Sequence, residues 1–294
     1  MGNIFSTSQV CEEKQLLRIL PLGKTGSGKS ETGNTILNGK FFVTKCQSIS
    51  VTKKSLCITA TVQGRVIKYI DTLGVLDTFL SKEELEKEIV KSIIRSPPGP
   101  HAILIILKVE TYTTHEIEIV RQIRSLFGEG ALNYAVVLFT HGDNLDKGQT
   151  IEEFANQNPE LKQLVDKCGG RCHVIDNRYW NHQKRGYRSN RVQVENLLNT
   201  IDKMVEENGG RCYTNNMLQC MDVYINNTIE EIRQESDGRL TEEQISDEAE
   251  ERTYTWVMSL KPYHGAIEWL RGYLGSVCPC FKELSYVPLH AKTN

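Results

Sequence analysis

The segment that most restricts the fold of this chain is GKTGSGKS, residues 23–30. It follows LLRILPLG at 16–23, an apolar run typical of a buried strand, and leads into SETGNTILNG at 30–39, which predicts a helix closed by its final glycine. Three glycines permit backbone torsions at which successive N–H groups point at phosphate oxygens, and the helix N-terminus adds its positive end. The order strand, glycine-rich loop and helix predicts a phosphate-binding loop, and a plain glycine-rich turn is the alternative.

Within this loop, each residue type has an expected part in holding phosphates and a magnesium ion. Lys29 is expected to reach the β and γ phosphates, and the Ser30 hydroxyl is expected to ligate Mg²⁺. The other residues of the loop are expected to contact the nucleotide as well: Gly23, Lys24, Thr25, Gly26, Ser27 and Gly28.

A second part of the predicted site is YIDTLG, residues 69–74. Asp71 ends an apolar strand and is expected to hold the magnesium shell through water, while the Gly74 N–H approaches the γ-phosphate. Between the two motifs lies a hydroxyl-rich segment, TKCQSISVTKKS, from which we select Thr52 as a further magnesium ligand, with Ser50 as the alternate. The candidate catalytic residues are Lys29, Thr52 and Gly74.

A base-reading element is predicted where the apolar strand AVVLFT ends in Thr140-His141-Gly142-Asp143. The Asp143 carboxylate can accept hydrogen bonds from N1–H and the 2-amino group of guanine, whereas adenine offers neither donor. His141 can stack on the purine, or serve only as a turn residue. Thr140 and Asn177, the last residue of HVIDN, complete the set of expected nucleotide contacts.

Strands and helices alternate over the first 210 residues, which predicts an α/β fold with a parallel sheet covered on both faces. A hairpin at Gln63-Gly64 makes the sheet mixed. After Gly209-Gly210 the strand pattern stops, and residues 211–275 are predicted to form a C-terminal helical extension. One of its helices opens at a capping box that begins with Thr241.

Composition narrows the function classes. The formal net charge of −2 gives no electrostatic case for nucleic acid as a partner. The nine cysteines lack regular spacing and favour free thiols, and no second ligand pair accompanies Cys168, Cys172 and His173 at zinc spacing. No apolar run reaches the roughly 18 residues that a transmembrane helix requires.

Several motifs together resemble the immunity-associated nucleotide-binding GTPases, the GIMAP or IAN family, which is related to septins and chloroplast-import GTPases. They are LGKTGSGKSETGNTILNGKFF, SVTKK, IDTLG, GPHAILIIL and MVEENGGRCYTNNM, and LFTHGDNL is similar to a variant of the family's base-reading motif. The resemblance covers about residues 15–215 and implies a Ras-like P-loop GTPase domain at 15–210, with C-terminal helices folding back toward the switch region. It also implies Mg²⁺-dependent binding of GTP and GDP, and a homodimer or oligomer formed through the nucleotide face.

Three departures from the family pattern concern hydrolysis. Leu73 replaces the usual proline of D-T-P-G, Val75 stands where Ras-type enzymes keep a water-orienting glutamine, and Thr111 occupies the place of an arginine that many members carry. We therefore expect slow intrinsic GTP hydrolysis and a nucleotide switch or scaffold. A turnover GTPase activated by a partner or by dimerisation is the alternative, and an ATP-binding P-loop kinase is a third, although no lid signature is present.

Both ends of the chain suggest lipid attachment. In the predicted tail at 1–14, MGNIFS fits M-G-x-x-x-[ST] and predicts myristoylation of Gly2. One myristoyl chain binds membranes only marginally, with an association constant of about 10⁴ M⁻¹, so stable attachment needs a second signal. Cys278 and Cys280, in the predicted tail at 276–294, are either palmitoylation sites or an ordinary thiol pair. The expected location is the cytoplasmic face of a membrane, with a cytosolic pool.

Replacing Gly2 by alanine should release most of the protein into the soluble fraction, because the variant cannot accept the N-terminal acyl chain. Cys278→Ser combined with Cys280→Ser should release it only in part, and acylation at Cys11 would mask some of that effect. Fractionation of cells that express each variant measures how much of the protein is in the membrane fraction and how much is soluble. Unchanged membrane association of the Gly2 variant would contradict the two-lipid scheme.

Overall fold

The computed structural model describes residues 16–42, 57–72 and 82–259. Several predicted residues lie outside these ranges, so their predictions stand as sequence-based expectations. They are Gly2, Cys11, Ser50, Thr52, Leu73, Gly74, Val75, Cys278 and Cys280.

Six strands of the described chain form a mixed, mostly parallel sheet in the order β2-β3-β1-β4-β5-β6. Their bounds are β1 Leu16–Leu22, β2 Cys57–Val62, β3 Arg65–Ile70, β4 Ala102–Lys108, β5 Ala135–Thr140 and β6 Cys172–Val174. Only the β2–β3 pair is antiparallel in this sheet. Its turn is formed by Gln63 and Gly64, both with positive φ, as a two-residue hairpin requires. The predicted hairpin and the predicted mixed sheet are both confirmed.

The two faces of the sheet carry separate layers of helices. The helices α1 (Lys29–Ile36) and α6 (Asn190–Glu207) pack on one face. The opposite face carries α2 (Lys82–Arg95), α3 (Thr114–Phe127), α4 (Ile151–Asn156) and α5 (Pro159–Lys167). Strand β5 is buried along its whole length and β4 along nearly all of it, because neighbours cover both faces of these central parallel strands.

Helices α4 and α5 are an addition to the prediction, since the sequence pattern assigned no element to residues 146–170. Their start signals are nevertheless present. Thr150 and Glu153 form a reciprocal capping box, and the Asn158 side chain accepts the backbone N–H groups of Glu160 and Leu161. Helix α4 has only six residues, too few for a clear periodic pattern, whereas α5 buries Leu161, Leu164 and Val165 at helical spacing, a signal that sequence reasoning missed. Two predicted elements were also too long. The strand was expected to reach Asn177 but β6 ends at Val174, and the helix was expected to close at Gly39 but α1 ends at Ile36.

The C-terminal extension is helical as predicted, with α7 at Asn216–Ser236 and α8 at Glu242–Ser259, and residues 211–259 contain no strand. The capping box at Thr241 is confirmed, because Gln244 N donates to Thr241 Oγ1 at 3.2 Å and Thr241 N donates to Gln244 Oε1 at 2.9 Å. Helix α8 packs on α2, where Arg95 donates to Glu250 at 2.8 Å. Among the described helices, none combines the length and apolarity needed to cross a bilayer.

Truncating Val257 to alanine should lower the free energy of unfolding of the whole domain by about 2 kcal/mol, from two lost methyl groups and a residual cavity. Val257 is fully buried in the same core as β4 and α2. The matched control is Val223→Ala on α7, where the side chain is 48% exposed and the change should stay within about 0.5 kcal/mol. Urea denaturation followed by circular dichroism compares the two, and equal losses would contradict the docking of α8 onto the main core.

Candidate nucleotide-binding site

The loop between β1 and α1 folds around the ammonium group of Lys29. Helix α1 begins at Lys29, immediately after Gly28, whose φ of 92° lies in the left-handed region. The Lys29 side chain is buried, and its Nζ donates to the carbonyl oxygens of Gly23 at 2.8 Å and Lys24 at 2.9 Å. The loop is therefore curved around a positive charge, with the helix N-terminus at its end, which suits an anion such as a phosphate.

Beside this loop, Ser30 and Asp71 form a polar pair at the end of β3. The Ser30 hydroxyl donates to Asp71 Oδ2 at 2.6 Å. Asp71 is buried, and its Oδ1 has no hydrogen-bond partner within the described part of the chain. Burial raises the pKa of Asp71, while the Ser30 hydrogen bond and the charge of Lys29 oppose that rise. A buried carboxylate oxygen without a partner, next to a hydroxyl, fits the oxygen ligands that Mg²⁺ prefers.

Thr140 joins the phosphate loop to the loop that follows β5. Its side chain is fully buried, and its Oγ1 donates to the carbonyl of Ser27 at 2.8 Å. His141 Nδ1 lies 3.0 Å from the same oxygen. Since a hydroxyl carries one proton, that proton serves the Ser27 carbonyl, and Oγ1 can accept from the imidazole. Thr140 thus links the two loops, and its expected nucleotide contact stays a prediction.

The loop carrying His141 and Asp143 is held in an unusual backbone conformation. His141 has φ 59° and ψ 47°, in the left-handed region that non-glycine residues rarely adopt. Gly142 donates to the carbonyl of Ile175 at 3.1 Å, and a Cβ at Gly142 would stand 2.5 Å from the Trp180 ring. Only glycine fits against that indole, so Trp180, which sequence reasoning missed, fixes the loop. Strained residues of this kind concentrate at functional sites.

Asn177 approaches the same region from the segment after β6. Its Oδ1 accepts from Thr35 Oγ1 at 2.7 Å, and its Nδ2 lies 3.3 Å from the position of a Cβ built on Gly28. The predicted residue is therefore placed against the phosphate loop, between α1 and the loop of Asp143.

The side chain of Lys24 is directed to α3 rather than to the phosphate loop's interior. Its Nζ donates to Glu110 Oε1 at 3.0 Å and to Glu116 Oε1 at 2.7 Å. Glu116 is buried and also accepts the backbone N–H of Thr113 at 2.9 Å. The Lys24 side chain is therefore engaged, and the predicted nucleotide contact of Lys24 falls to its backbone. Sequence reasoning missed Glu116, although T-x-x-E before an apolar run signals it.

A second missed residue is Asp176, which directly precedes Asn177. It is 2% exposed, and its carboxylate accepts the backbone N–H groups of Arg178 and Tyr179. The same carboxylate faces Asp143, whose backbone N–H lies 3.4 Å from Asp176 Oδ2. A hydrogen bond between the two side chains raises the pKa of Asp143. No pattern in the sequence distinguishes this aspartate from a residue of an ordinary turn.

Comparison with known proteins agrees with the fold and the phosphate loop. Residues 17–231 match the sequence model of the AIG1 family. Immune-associated nucleotide-binding protein 8 of Arabidopsis thaliana is 37% identical over 204 residues, which cover 68% of this chain and 56% of that protein. Protein 10 of the same series is 33% identical over 239 residues, 80% of this chain and 48% of that protein. The chain thus spans about half the length of these relatives.

Among solved structures, a dimerisation-deficient variant of Toc33 from Arabidopsis thaliana superimposes with a TM-score of 0.50 and 17% identity. The match covers 65% of this chain and 85% of that one. The fold is that of a P-loop GTPase domain, as defined by the strand order of the sheet, the helical layers on its two faces and the phosphate loop. The chain belongs to the AIG1 family, which confirms the resemblance to immune-associated nucleotide-binding proteins.

Replacing Glu116 by glutamine should cost about 1–3 kcal/mol of unfolding free energy at pH 7, because the charge-assisted bond from Lys24 weakens. The hydrogen bonds from Lys24 and Thr113 lower the pKa of Glu116 below its ordinary value of 4.5, against the opposing effect of burial. Its stabilisation is therefore present above pH 4.5 and is lost as the pH falls through the lowered pKa.

The difference between wild type and Glu116→Gln should accordingly shrink in denaturation series carried below that pH. Glu118→Gln on the same helix is the matched control, because Glu118 is half-exposed and, within the described part of the chain, its ion pair is with Arg121 at 3.4 Å. It should change stability by no more than about 0.5 kcal/mol. A Glu116 variant as stable as this control at pH 7 would show that the Lys24 link contributes nothing.

Proposed function

We propose that this protein binds GTP and GDP with Mg²⁺ and acts as a nucleotide-dependent switch or scaffold with slow intrinsic hydrolysis. The observation that carries the proposal is the hydrogen bond from Thr140 to Ser27, because it places the loop of Asp143 against the phosphate loop. A phosphate-binding loop and a candidate purine-reading loop then form one continuous site. Relatives named as immune-associated nucleotide-binding proteins support a nucleotide as the ligand.

On the phosphate side, the backbone of residues 23–28 and the ammonium group of Lys29 are proposed to hold the β and γ phosphates. Ser30 and Asp71 are proposed to hold Mg²⁺, since their oxygens are adjacent and Asp71 Oδ1 is buried without a partner among the described residues. Bound magnesium would neutralise phosphate charge. Thr52 and Gly74 lie outside the described residues. Thr52 is still proposed as a magnesium ligand, and the Gly74 N–H is still proposed to approach the γ-phosphate.

On the base side, Asp143 is proposed to select guanine. Its side chain is exposed on a loop that is itself fixed by Trp180 and Thr140, so the carboxylate is accessible on a rigid support. His141, half-buried next to it, can stack its imidazole on the purine, and Asn177 can approach from the β6 side. A carboxylate that accepts two hydrogen bonds from guanine is left unpaired by adenine, which offers no matching donors.

Slow hydrolysis is proposed because the described part of the site supplies no additional free cation for the transferring phosphate. Thr111 is exposed and uncharged, and Lys24 is engaged by Glu110 and Glu116. Where an arginine finger is used, it accelerates hydrolysis by roughly 10³ to 10⁵. A second copy of the chain, docked through the nucleotide face, is proposed as the source of any acceleration. For chloroplast translocon components of the same fold, dimerisation is important for GTPase activity.

Membrane attachment through Gly2, with Cys278 and Cys280 as the second signal, is proposed as the location of the switch. These residues lie outside the described ranges, and support for this part comes from their sequence motifs alone.

Exchange of Asp143 for asparagine should weaken GDP binding by on the order of 100-fold and strengthen xanthosine diphosphate binding. The reason is that xanthine carries an oxygen where guanine carries its 2-amino group, and the asparagine amide can donate to it. Titration calorimetry in the presence of Mg²⁺ measures the affinities of the wild type and the variant for GDP and for xanthosine diphosphate.

Asp146→Asn supplies the matched control, because Asp146 lies exposed on the same loop and its backbone, not its carboxylate, receives the contact from Arg188. This variant should bind GDP as the wild type does. If Asp143→Asn also retained wild-type preference for GDP, guanine selection by Asp143 would be wrong.

A further inference from the structure

We infer that Asp176 is a positioning residue for the base-reading carboxylate of Asp143, and that it makes guanine affinity fall as the solution is acidified. The inference rests on the proposed function, because it concerns how Asp143 is prepared to bind guanine.

The carboxylate of Asp176 is held in place from several sides. Asn190 Oδ1 accepts the backbone N–H of Asp176 at 3.0 Å, and Asn190 Nδ2 donates to the Asp176 carbonyl at 2.5 Å. Asp176 Oδ1 accepts the N–H groups of Arg178, at 2.9 Å, and Tyr179. With only 2% of the residue exposed, this carboxylate has little freedom to turn away from Asp143.

Two carboxyl groups in contact share one proton more readily than they carry two charges. The backbone N–H groups at Asp176 favour its ionised form, because an N–H group donates to a carboxylate. The pKa of Asp176 is lowered, although burial opposes the change, and the hydrogen bond from Asp143 contributes to that lowering. The pKa of Asp143 is raised, first by its hydrogen bond to Asp176 and then by burial. When the pair holds one proton, that proton therefore resides on Asp143 rather than on Asp176.

His141 and Arg188 also lie near this pair of carboxyl groups. His141 lies on the same loop, and its charge lowers the pKa of Asp143. Arg188, from the segment before α6, donates to the carbonyl oxygens of Leu145 and Asp146. Asp176 is the group whose hydrogen bond dominates at Asp143.

Guanine needs both oxygens of Asp143 as acceptors, so a proton held on Asp143 must be released to solvent when guanine binds. The N1–H and 2-amino groups of guanine then donate to the carboxylate in place of that proton, and no covalent bond changes apart from the dissociating O–H. Affinity therefore decreases by up to about tenfold per pH unit below the raised pKa of Asp143. Asp176 also keeps the Asp143 loop in place through the backbone contact at 3.4 Å.

The test is a titration of GDP and Mg²⁺ against wild type, Asp176→Asn and Asp146→Asn from pH 5 to pH 8. Asparagine at 176 can still accept the N–H groups of Arg178 and Tyr179 but carries no charge, so the fall in affinity should move to lower pH. Asp146→Asn should follow the wild-type curve. Titration of the terminal phosphate is common to all three proteins and cancels in the comparison.

Calorimetry in buffers of different ionisation enthalpy adds a direct readout, because wild type should release more protons on binding GDP than Asp176→Asn does. If Asp176→Asn does not fold, Asp176→Ala gives the same comparison, with an additional pH-independent loss from the missing turn contacts. Coincident pH profiles and equal proton release would overturn the inference. Failure of the proposed function is recognised separately, as equal wild-type affinity for GDP and ADP at pH 8.

Discussion

The candidate site depends on parallel pairing of the central strands. Because β1, β4 and β5 run in the same direction, the loops that follow their carboxyl ends meet at one edge of the sheet. One hydrogen bond, from the fully buried Thr140 hydroxyl to the Ser27 carbonyl, then joins the phosphate loop to the candidate base-reading loop. Both loops leave buried strand ends, because β5 is buried along its whole length and β1 over its last four residues, so a shift of either loop would disturb the core.

Buried carboxylates surround this edge, and each is stabilised in a different way. Asp71 faces a hydroxyl and the charge of Lys29, and one of its oxygens has no partner in the described chain. Glu116 is satisfied by Lys24 and by the start of α3. Asp176 is satisfied by backbone N–H groups and faces a second carboxyl group. The arrangement at Asp71 suits a metal ion, and the ion pair of Glu116 holds the Lys24 side chain against α3. The carboxylate of Asp176 changes the pKa of Asp143.

The fold could be predicted from sequence where local signals are strong. The strand-loop-helix unit at Gly28, the hairpin at Gly64 and the capping box at Thr241 each follow from residues adjacent in the chain. Contacts between distant residues could not be predicted in this way. The ion pair between Lys24 and Glu116 joins residues 92 positions apart, and the facing of Asp143 and Asp176 depends on β5 pairing with β6. Of the two helices after Asp146, α4 has too few residues for a periodic pattern, whereas the pattern of α5 was present and was missed.

The most direct test of the account is titration calorimetry of wild-type protein with GDP and with ADP, at equal Mg²⁺ and at pH 8. The two nucleotides share the diphosphate that the loop backbone and Lys29 are proposed to hold, and the Mg²⁺ proposed for Ser30 and Asp71, so they differ only at the base. The account predicts that GDP binds more tightly by on the order of 100-fold, because adenine leaves the Asp143 carboxylate unpaired. Equal affinities would contradict it, since the loop beyond Thr140 would then have no part in reading guanine.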